Sequence, residues 1–395
     1  MERNKILYLA FRFPFPLTDG YRLRVYNYCK CLKNIGYSVD LFFIYESKKE
    51  YIDFLEKKEI QDIFNKIIPI KLTKFEKAKN LLKSILKQES LQENIYITAN
   101  GKKFLANKLK EYEKVIISYI RMYKYVEQLE GYKILDYTDS LAYHYDKARY
   151  EAKGLWKLIY NYEYSKVKKL EKEVLKNINK AMITSKVDRD YILEGDINKK
   201  IGIFSQAIDE KLFGYKKEKE NNNIVFIGKL DYYPNEDAIL YFINEVFPHI
   251  KNYKLQIIGV NPTEKIKKII EDKENIELLG YVENPYQIIK NAKLMIAPIR
   301  IGGGIQNKIL EGMALGKVVI TFLDRIKPFE NITNNQDIIG VNNAKEYIDI
   351  LNSISEEKIN YIEKNAQNYI KNNYTWKKIQ KNLRRYLLEE KECYF

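Results

Sequence analysis

Short apolar runs alternate along the chain with longer segments in which apolar residues recur at helical spacing. This rhythm is typical of parallel strands that are joined by helices and covered by them on both faces. It predicts an α/β protein built from two doubly wound domains. We expect strands near Lys5–Leu9, Val39–Ile44, Val115–Ser118, Lys133–Asp136, Ala181–Thr184, Ile201–Phe204, Ile224–Gly228, Lys254–Gly259, Ile276–Leu279, Leu294–Ala297 and Val318–Thr321.

The apolar periodicity stops near residue 215, and a polar, charged stretch runs from Lys216 to Asn223. Such a break is typical of a linker between domains. We therefore predict a first domain over residues 1–214 and a second over residues 215–375. Residues 376–395 predict an amphipathic helix that packs back on the first domain, because its apolar residues recur at helical spacing.

Composition narrows the class of protein. Of the 395 residues, 46% are hydrophobic and 31% charged, which excludes a disordered chain. Three cysteines exclude a disulfide framework and a zinc site with four cysteine ligands. No apolar run approaches the roughly 20 residues that cross a bilayer, so we expect a cytoplasmic protein with at most peripheral membrane contact. The net charge of +15 indicates an anionic partner: nucleic acid, a phosphorylated ligand or an acidic membrane.

Ligands of open α/β sheets bind beyond the carboxyl ends of the strands, and the richest such loop follows the strand that ends at Ala297. Gly302–Gly304 allow close backbone approach, and a helix predicted to open near Ile305 offers free N–H groups, which suit a phosphate. Lys308 adds positive charge, and Glu311 lies on the same helix face, where it can accept hydrogen bonds from ribose hydroxyls. The alternative is a flexible turn followed by a solvated ion pair.

Two further loops point toward the same edge of the second sheet. Lys229 directly follows the strand that ends at Gly228, which makes it a candidate phosphate ligand. Gly280, Tyr281 and Val282 follow another strand and can pack against a flat base. A plain strand-to-helix connection is the alternative for this last loop.

The first domain offers weaker signals. Gly20 follows the first strand without the G-x-G-x-x-G spacing of dinucleotide-binding proteins, which disfavours an NAD-dependent enzyme. Arg121 lies just past the strand VIIS. Asp136 and Asp139 follow the strand KIL; we expect a structural role for Asp136, whereas Asp139 has functional and structural interpretations of equal weight. His144 is a weaker candidate for a base.

The chain resembles bacterial glycosyltransferases of the GT-B fold, in the large retaining family 4. The resemblance is carried by IVFIGKLDYYPNEDAILYF, LQIIGVNP, the block ELLGYVENPYQIIKNAKLMIAPIRIGGGIQNKILEGMALGKVVIT and the interdomain phrase IFSQAIDEKLF, with weaker matches in FPFPLTDGYRLRVYN and ILDYTDS. It implies two Rossmann-like domains that face a central cleft, with a nucleotide-sugar donor, UDP- or GDP-linked, on the second domain and the acceptor on the first.

Site residues follow from this resemblance. Lys229 matches the family's basic residue on the diphosphate, and Glu311 matches its ribose-binding glutamate. The family's first glutamate would fall at Gly303 and its second basic residue at Asn235, so Lys308 and Arg300 are expected to replace the lost charge. The catalytic candidates are Lys229, Lys308, Asp139 and Arg121. The nucleotide-binding candidates are Gly20, Gly228, Lys229, Gly280, Tyr281, Val282, Arg300, Gly302, Gly303, Gly304, Ile305, Gln306, Asn307, Lys308 and Glu311.

The resemblance implies transfer of a sugar to a cell-surface polysaccharide, a lipopolysaccharide or another glycoconjugate, with a glycan, lipid-linked or protein-linked acceptor. Cations and a helix N-terminus would stabilise the departing diphosphate, and neither a cofactor nor a metal is expected, since no Asp-x-Asp motif occurs. Two alternatives stay open: a nucleotide-sugar epimerase of the same architecture, and a non-catalytic scaffold that binds nucleic acid. The preferred interpretation has no nucleic-acid partner.

Residues 71–87 carry six lysines against one glutamate, with apolar residues at helical spacing. A basic amphipathic helix of this kind suggests docking on an anionic membrane surface, where lipid-linked acceptors lie. The alternative is an ordinary surface helix that packs its apolar face on the domain.

Overall fold

The computed structural model describes residues 4–196, 200–219, 221–301 and 304–388. The chain divides into two compact units. The first contains the residues up to Phe204 and those from Gln380 onward, and the second is Ser205–Ile379. Each unit is an α/β structure with its own buried apolar core.

The described part of the first unit contains a seven-stranded parallel sheet in the order β3-β2-β1-β4-β5-β6-β7. Its strands are β1 (Lys5–Ala10), β2 (Ser38–Tyr45), β3 (Phe64–Lys71), β4 (Lys114–Ser118), β5 (Tyr132–Thr138), β6 (Lys180–Ile183) and β7 (Ile201–Ile203). Its helices are α1 (Gly20–Asn34), α2 (Lys58–Gln61), α3 (Lys74–Leu86), α4 (Leu91–Asn94), α5 (Ala99–Lys108), α6 (Leu141–Glu151), α7 (Gly154–Lys176) and α8 (Lys186–Leu193).

The described part of the second unit contains a six-stranded parallel sheet in the order β10-β9-β8-β11-β12-β13. Its strands are β8 (Asn223–Ile227), β9 (Lys254–Ile258), β10 (Ile276–Gly280), β11 (Leu294–Ala297), β12 (Val319–Phe322) and β13 (Ile339–Val341). The helices are α9 (Tyr233–Tyr241), α10 (Glu264–Ile270), α11 (Pro285–Asn291), α12 (Asn307–Ala314), α13 (Leu323–Ile326), α14 (Ala344–Ser353) and α15 (Glu356–Asn373), followed by α16 (Trp376–Leu388).

The prediction of two doubly wound parallel sheets is confirmed, and each predicted strand is present. Two strands were not predicted, and both lie at sheet edges. In β3, exposed and partly buried positions interrupt the apolar run, and Pro69 stands near its end, as an edge strand allows. The strand β13 is only three residues long. A search for continuous apolar runs overlooks strands of either kind.

The two units meet in sequence at Phe204 and Ser205, whereas the pattern predicted a boundary after residue 214. The intervening residues belong to the second unit because Ile208 and Leu212 are buried in its core. The polar stretch beyond them is also fixed there: Gln287 Nε2 donates to the Lys216 carbonyl oxygen over 3.0 Å, and the Glu218 amide donates to Asn291 Oδ1 over 3.1 Å. These bonds hold a polar segment that resembles a linker in sequence.

The carboxyl-terminal helix α16 returns to the first unit from Gln380 onward. Its Tyr386 hydroxyl lies 2.6 Å from the Lys200 carbonyl oxygen and 2.7 Å from that of Ala181, and its ring centroid lies 5.0 Å from that of Phe204. The predicted amphipathic helix thus packs its buried face on β6 and β7, at the edge of the first sheet. None of the described helices combines the length and the apolar character needed to cross a bilayer.

Candidate functional site

In the second unit the strand order reverses at β8, which pairs with β9 on one side and with β11 on the other. Crevices beyond the carboxyl ends of strands at such a reversal are the ligand sites of doubly wound sheets. The loops after β8, β9, β10 and β11 carry the glycines, cations and carboxylate that the sequence singled out.

Glycines make room for a close meeting of the loops after β8 and β9. A Cβ atom on Gly228 would lie 2.8 Å from Asn235 Nδ2 and 3.0 Å from Lys308 Nζ. A Cβ atom on Gly259 would lie only 1.9 Å from the Gly228 carbonyl oxygen. A side chain at either position would therefore displace the polar groups of this crevice.

Lys308 lies in the first turn of α12 and reaches across to the loop after β8. Its Nζ donates to Asn235 Oδ1 over 2.6 Å and lies 4.5 Å from the centroid of the Phe226 ring. Asn235 Nδ2 in turn donates to the Lys229 carbonyl oxygen over 2.9 Å. Burial lowers the pKa of Lys308 to about 7, because the ammonium loses solvation that one amide oxygen and a ring face only partly replace.

Glu311 lies one turn further along α12, on the face that carries Lys308. Burial raises its pKa to about 7, with Lys308 acting in the opposite direction. The same carboxylate contributes to the rise in the pKa of Tyr286 to about 12, after burial of that phenol. The neighbours Ile309 and Leu310 are fully buried in the core, which fixes the rotation of the helix and keeps both ionisable groups at the crevice.

Lys229 and Arg300 differ in how strongly they are held. Lys229 is exposed, and its Nζ lies 3.4 Å from Asp231 Oδ2. Arg300 makes a two-point contact with Asp237 in α9, over 3.0 Å from Nε and 2.5 Å from Nη2, and its guanidinium covers the Tyr241 ring. The charge of Arg300 is therefore already paired with a carboxylate within the unit, whereas the hydrogen bond of Lys308 goes to a neutral amide.

The remaining second-unit candidates line the neighbouring loops. Gly280 adopts a φ of +66°, Tyr281 is exposed, and Val282 packs against the core. Gly304 is buried with a φ of +65°. The helix predicted to open near Ile305 begins at Asn307 with Gln306 as its N-cap, because the left-handed glycine and an extended Gln306 delay the first turn. Gly302 and Gly303 lie outside the described residues.

In the first unit, Asp136 is structural, as predicted. It accepts from Arg24 Nε over 2.8 Å and from Arg24 Nη2 over 2.7 Å, and both side chains are buried. Arg24 also donates to the Phe204 carbonyl oxygen over 2.7 Å. Gly20 is the exposed first residue of α1, directly after the N-cap Asp19. The Arg24–Asp136 pair ties α1 to the carboxyl end of β5.

Asp139 belongs to a polar group that the sequence only partly indicated. It accepts from Thr184 Oγ1 over 2.6 Å, and one ligand atom from each of Asp139, His144 and Asp188 lies within 4.8 Å of the others. Burial and then Asp139 raise the pKa of Asp188 to about 6. These are the described side chains that could hold a cation. Asp188 was not predicted; its available signal was the helix-capping spacing Ser185-x-x-Asp188 after the neighbouring strand β6.

Arg121 lies in a short 3₁₀ turn after β4. Its Nε donates to Gln92 Oε1 over 2.6 Å, and its guanidinium lies 5.1 Å from the ring centroids of both Phe11 and Tyr119. The residue before this turn, Tyr119, has a φ of +69°, which is uncommon for a side chain of this size. Asp139 and Arg121 thus stand at the carboxyl ends of the neighbouring strands β5 and β4.

Comparisons with known proteins find relatives in sequence and in fold. Residues 221–357, which include the whole Gly228–Glu311 crevice, match the family model described as glycosyl transferases group 1. An uncharacterized glycosyltransferase of Methanocaldococcus jannaschii is 27% identical over 253 residues, a match that spans 58% of this chain and 62% of that protein. An uncharacterized 44.6 kDa protein in the cps region of Klebsiella pneumoniae is 25% identical over 95% of this chain and 97% of its own.

Solved structures match along nearly the whole chain. Sucrose-phosphate synthase of Thermosynechococcus elongatus superposes with a TM-score of 0.70 at 14% identity, over 97% of this chain and 98% of that one. HepE of Anabaena, in complex with UDP and glucose, superposes with a TM-score of 0.65 at 11% identity, over 98% and 99%. At this identity the likeness shows the fold, which is the two-domain Rossmann-like GT-B fold.

These matches favour neither the epimerase nor the nucleic-acid scaffold. The family model covers the crevice that holds Lys308 and Glu311, and the fold extends over both units. Residues 221–357 of the second unit are therefore similar to group 1 glycosyltransferases, and the comparisons support the transfer of glycosyl groups as the activity of the protein.

Proposed function

We propose that the protein is a retaining glycosyltransferase. It would move a sugar from a UDP- or GDP-linked donor to a hydroxyl of a cell-surface polysaccharide, a lipopolysaccharide or another glycoconjugate. One observation carries the proposal: Lys308 and Glu311 are half-buried on one face at the start of α12, Lys308 lies beside Gly228, and both groups have a pKa of about 7. Strongly shifted pKa values in a crevice of this kind are typical of functional sites.

Lys308 suits the diphosphate of the donor. Cleavage of the bond between sugar and phosphate places negative charge on the leaving diphosphate, so a preorganised cation lowers the barrier. The amide of Asn235 holds the ammonium in position without neutralising it. The N-terminal end of α12 adds its N–H groups and partial positive charge to the same place. Lys229, exposed at the end of β8, is a second cation for this group.

Glu311 suits the ribose. A carboxylate accepts hydrogen bonds from both ribose hydroxyls, and such bonds favour its ionised form. Binding of the donor would thus add favourable interactions for the charged forms of Lys308 and Glu311, which burial disfavours in the free crevice. Gly280 ends β10 and Val282 lies on the loop after it, where a flat base can pack against backbone and apolar side chains.

The acceptor is assigned to the first unit, with Asp139 and Arg121 as the residues that orient its hydroxyl. Asp139 already accepts one hydrogen bond from Thr184 and has a second carboxylate oxygen available for an acceptor. The departing diphosphate would take the proton of the acceptor hydroxyl in a front-side reaction, so no separate nucleophile is required. Complexes of HepE with UDP and glucose, and the cps region named for the Klebsiella relative, support a nucleotide-sugar donor and a glycan acceptor.

Calorimetry with a panel of nucleotides tests this assignment. UDP, GDP, ADP, CMP and their sugar conjugates are titrated into the full chain, into Glu311→Gln and into the control Glu357→Gln, which alters an exposed carboxylate on α15. We expect micromolar binding of one nucleotide class, weakened in Glu311→Gln and unchanged in the control. Equal affinity in all three proteins, or no binding by any, would refute the donor site. Retention is tested separately by the anomeric coupling constant of the transferred sugar in the product.

A further inference from the structure

Helix α3 exposes an apolar stripe to solvent. Phe75, Leu82 and Leu86 recur seven and four residues apart and so share one face, and Phe75 and Leu86 are 77% and 76% exposed. The opposite side of the helix is anchored: Asn80 Nδ2 donates to the Ile97 carbonyl oxygen over 2.7 Å, and Ser84 is buried. The sequence left open whether this apolar face packs on the domain. The structure places it in solvent.

A second exposed apolar group lies at the tip of the hairpin that α6 and α7 form. Leu155, Trp156 and Leu158, in the first turns of α7, are 70%, 62% and 68% exposed. Burial of α7 starts only further along, at Glu163, which accepts from the Leu91 amide and the Ser90 hydroxyl over 2.9 and 2.7 Å. The first turns of α7 are thus free of any core, although they carry large apolar side chains.

Hydrogen bonds connect the helices that carry these two groups, and the exposed side chains of both are taken together as one surface. The Tyr162 hydroxyl donates to the Glu89 carbonyl oxygen over 3.1 Å, and Lys166 Nζ donates to that of Gln88 over 2.6 Å, which ties α7 to the carboxyl end of α3. Leu158 and Leu155 lie four and seven residues before Tyr162 and therefore extend the same face of α7 past this contact. Both α3 and α6 begin after the carboxyl ends of strands, β3 and β5, which form the ligand-binding edge of a parallel sheet.

Lysines surround this surface. Lys74, Lys79, Lys83 and Lys87 are all exposed on α3 or at its end, and none forms an ion pair with another described residue. Exposed Lys153 and Lys157 flank the apolar side chains of α7. Two features together bind a protein to an anionic bilayer. Apolar side chains enter the boundary of the acyl chains, and surrounding lysines contact the negatively charged head groups. Surfaces that bind other proteins are, in contrast, enriched in aromatic residues and arginine and depleted of lysine. The abundance of lysine here therefore favours a membrane over a protein partner.

We propose that this surface, formed by Phe75, Leu82, Leu86, Leu155, Trp156 and Leu158 with the surrounding lysines, docks the first unit on a bilayer that carries anionic head groups. Docking would hold the acceptor edge of the first sheet against the membrane, where a lipid-linked acceptor would meet it. The proposal needs no property of the donor crevice, so it can fail or hold independently of the proposed function.

Vesicle binding by the full chain tests the proposal. Vesicles of phosphatidylcholine alone and of phosphatidylcholine with phosphatidylglycerol are sedimented with the protein at low and high salt. We expect binding to the anionic vesicles only, weakened by salt. Lys79→Glu with Lys83→Glu should weaken it roughly tenfold or more, whereas the matched control Lys268→Glu with Lys345→Glu on the second unit should not. Leu82→Ser with Leu86→Ser should weaken it at unchanged thermal stability, since both side chains are exposed.

Tryptophan emission provides a direct readout of contact. The chain has two tryptophans, and Trp376→Phe leaves Trp156 as the reporter. Anionic vesicles should shift its emission to shorter wavelength. Three results would overturn the proposal: no sedimentation with anionic vesicles at low salt, equal losses in the patch and control variants, or an emission shift that follows protein concentration without lipid. The last result would identify contact between copies of the chain instead.

Discussion

Affinity for a nucleotide-sugar should depend on pH as a bell-shaped curve centred near pH 7. In the proposed donor site, binding of the diphosphate requires the charged form of Lys308. Lys308 loses its charge as the pH rises through the pKa of the ammonium, which is about 7. Ribose favours the ionised form of Glu311, and that form is lost as the pH falls through its pKa of about 7. The fraction of protein in which Lys308 and Glu311 are both charged is therefore largest near pH 7. At higher pH Lys308 must first gain a proton, and at lower pH Glu311 must first lose one.

The size of the effect follows from the two pKa values. Two units above its pKa a lysine is only about 1% protonated, against half at the pKa, so affinity should fall roughly 50-fold between about pH 7 and about pH 9. The same arithmetic applies to Glu311 between about pH 7 and about pH 5. Each limb should approach a slope of one proton per bound ligand, which corresponds to about 1.4 kcal/mol per pH unit. An ordinary solvated lysine and glutamate would give a flat profile over the same range.

The assay is calorimetric titration of a UDP- or GDP-linked sugar in buffers of different ionisation enthalpy. An intact nucleotide-sugar is used because a free nucleoside diphosphate adds a phosphate that titrates near about pH 6. Glu311→Gln should remove the acid limb and Lys308→Met the alkaline limb, each at a lower maximum affinity. Lys345→Met serves as the control for the loss of an exposed lysine. A flat profile for the unaltered protein, or limbs that persist in both variants, would refute the reasoning about this pair.

Three other perturbations have clear expected outcomes. Asp136→Asn leaves the buried charge of Arg24 unpaired and should lower the free energy of unfolding by about 3–5 kcal/mol in denaturant titrations. An unchanged free energy of unfolding would contradict this expectation. Gly259→Ala should destabilise the second unit by about 1–3 kcal/mol and weaken donor binding, because its Cβ would meet a backbone oxygen at 1.9 Å; calorimetric unfolding measures the first effect. Arg300→Gln should change donor affinity by less than about fivefold, since Asp237 already pairs that charge; a larger loss in titration would place Arg300 on the diphosphate.

Burial on both faces made most of the fold predictable. Strands such as Lys5–Ala10 and Leu294–Ala297 are buried along their whole length, and apart from Lys5 their residues form continuous apolar runs. The edge strand Phe64–Lys71 is exposed at several positions, so its sequence resembles a polar segment. Residues 216–219 were predicted as part of a linker because they are polar. In the structure, hydrogen bonds to Gln287 and Asn291 fix them to the second unit.

The candidate site was predictable only as far as single loops allow. Glycines after strands and a cation at the start of a helix indicated where α12 and β8 carry ligand groups. Sequence could not show that Lys308 bonds to Asn235, which lies 73 positions away, or that Arg300 is paired with Asp237. It could not bring Asp188 next to Asp139 either, because their contact depends on the pairing of β5 with β6. Partners across loops are set by tertiary structure, which single motifs do not encode.

The contact with Lys308 explains why a neutral residue, Asn235, suits this position. A second lysine there would lie within bonding distance of the Lys308 ammonium, and like-charge repulsion would push a pKa that is already about 7 still lower. The amide instead accepts from Lys308 and donates to the Lys229 carbonyl oxygen, so one side chain fixes both the cation and the turn after β8. In the proposed donor site, the cation that the family resemblance places on α9 would thus be supplied from α12, by Lys308.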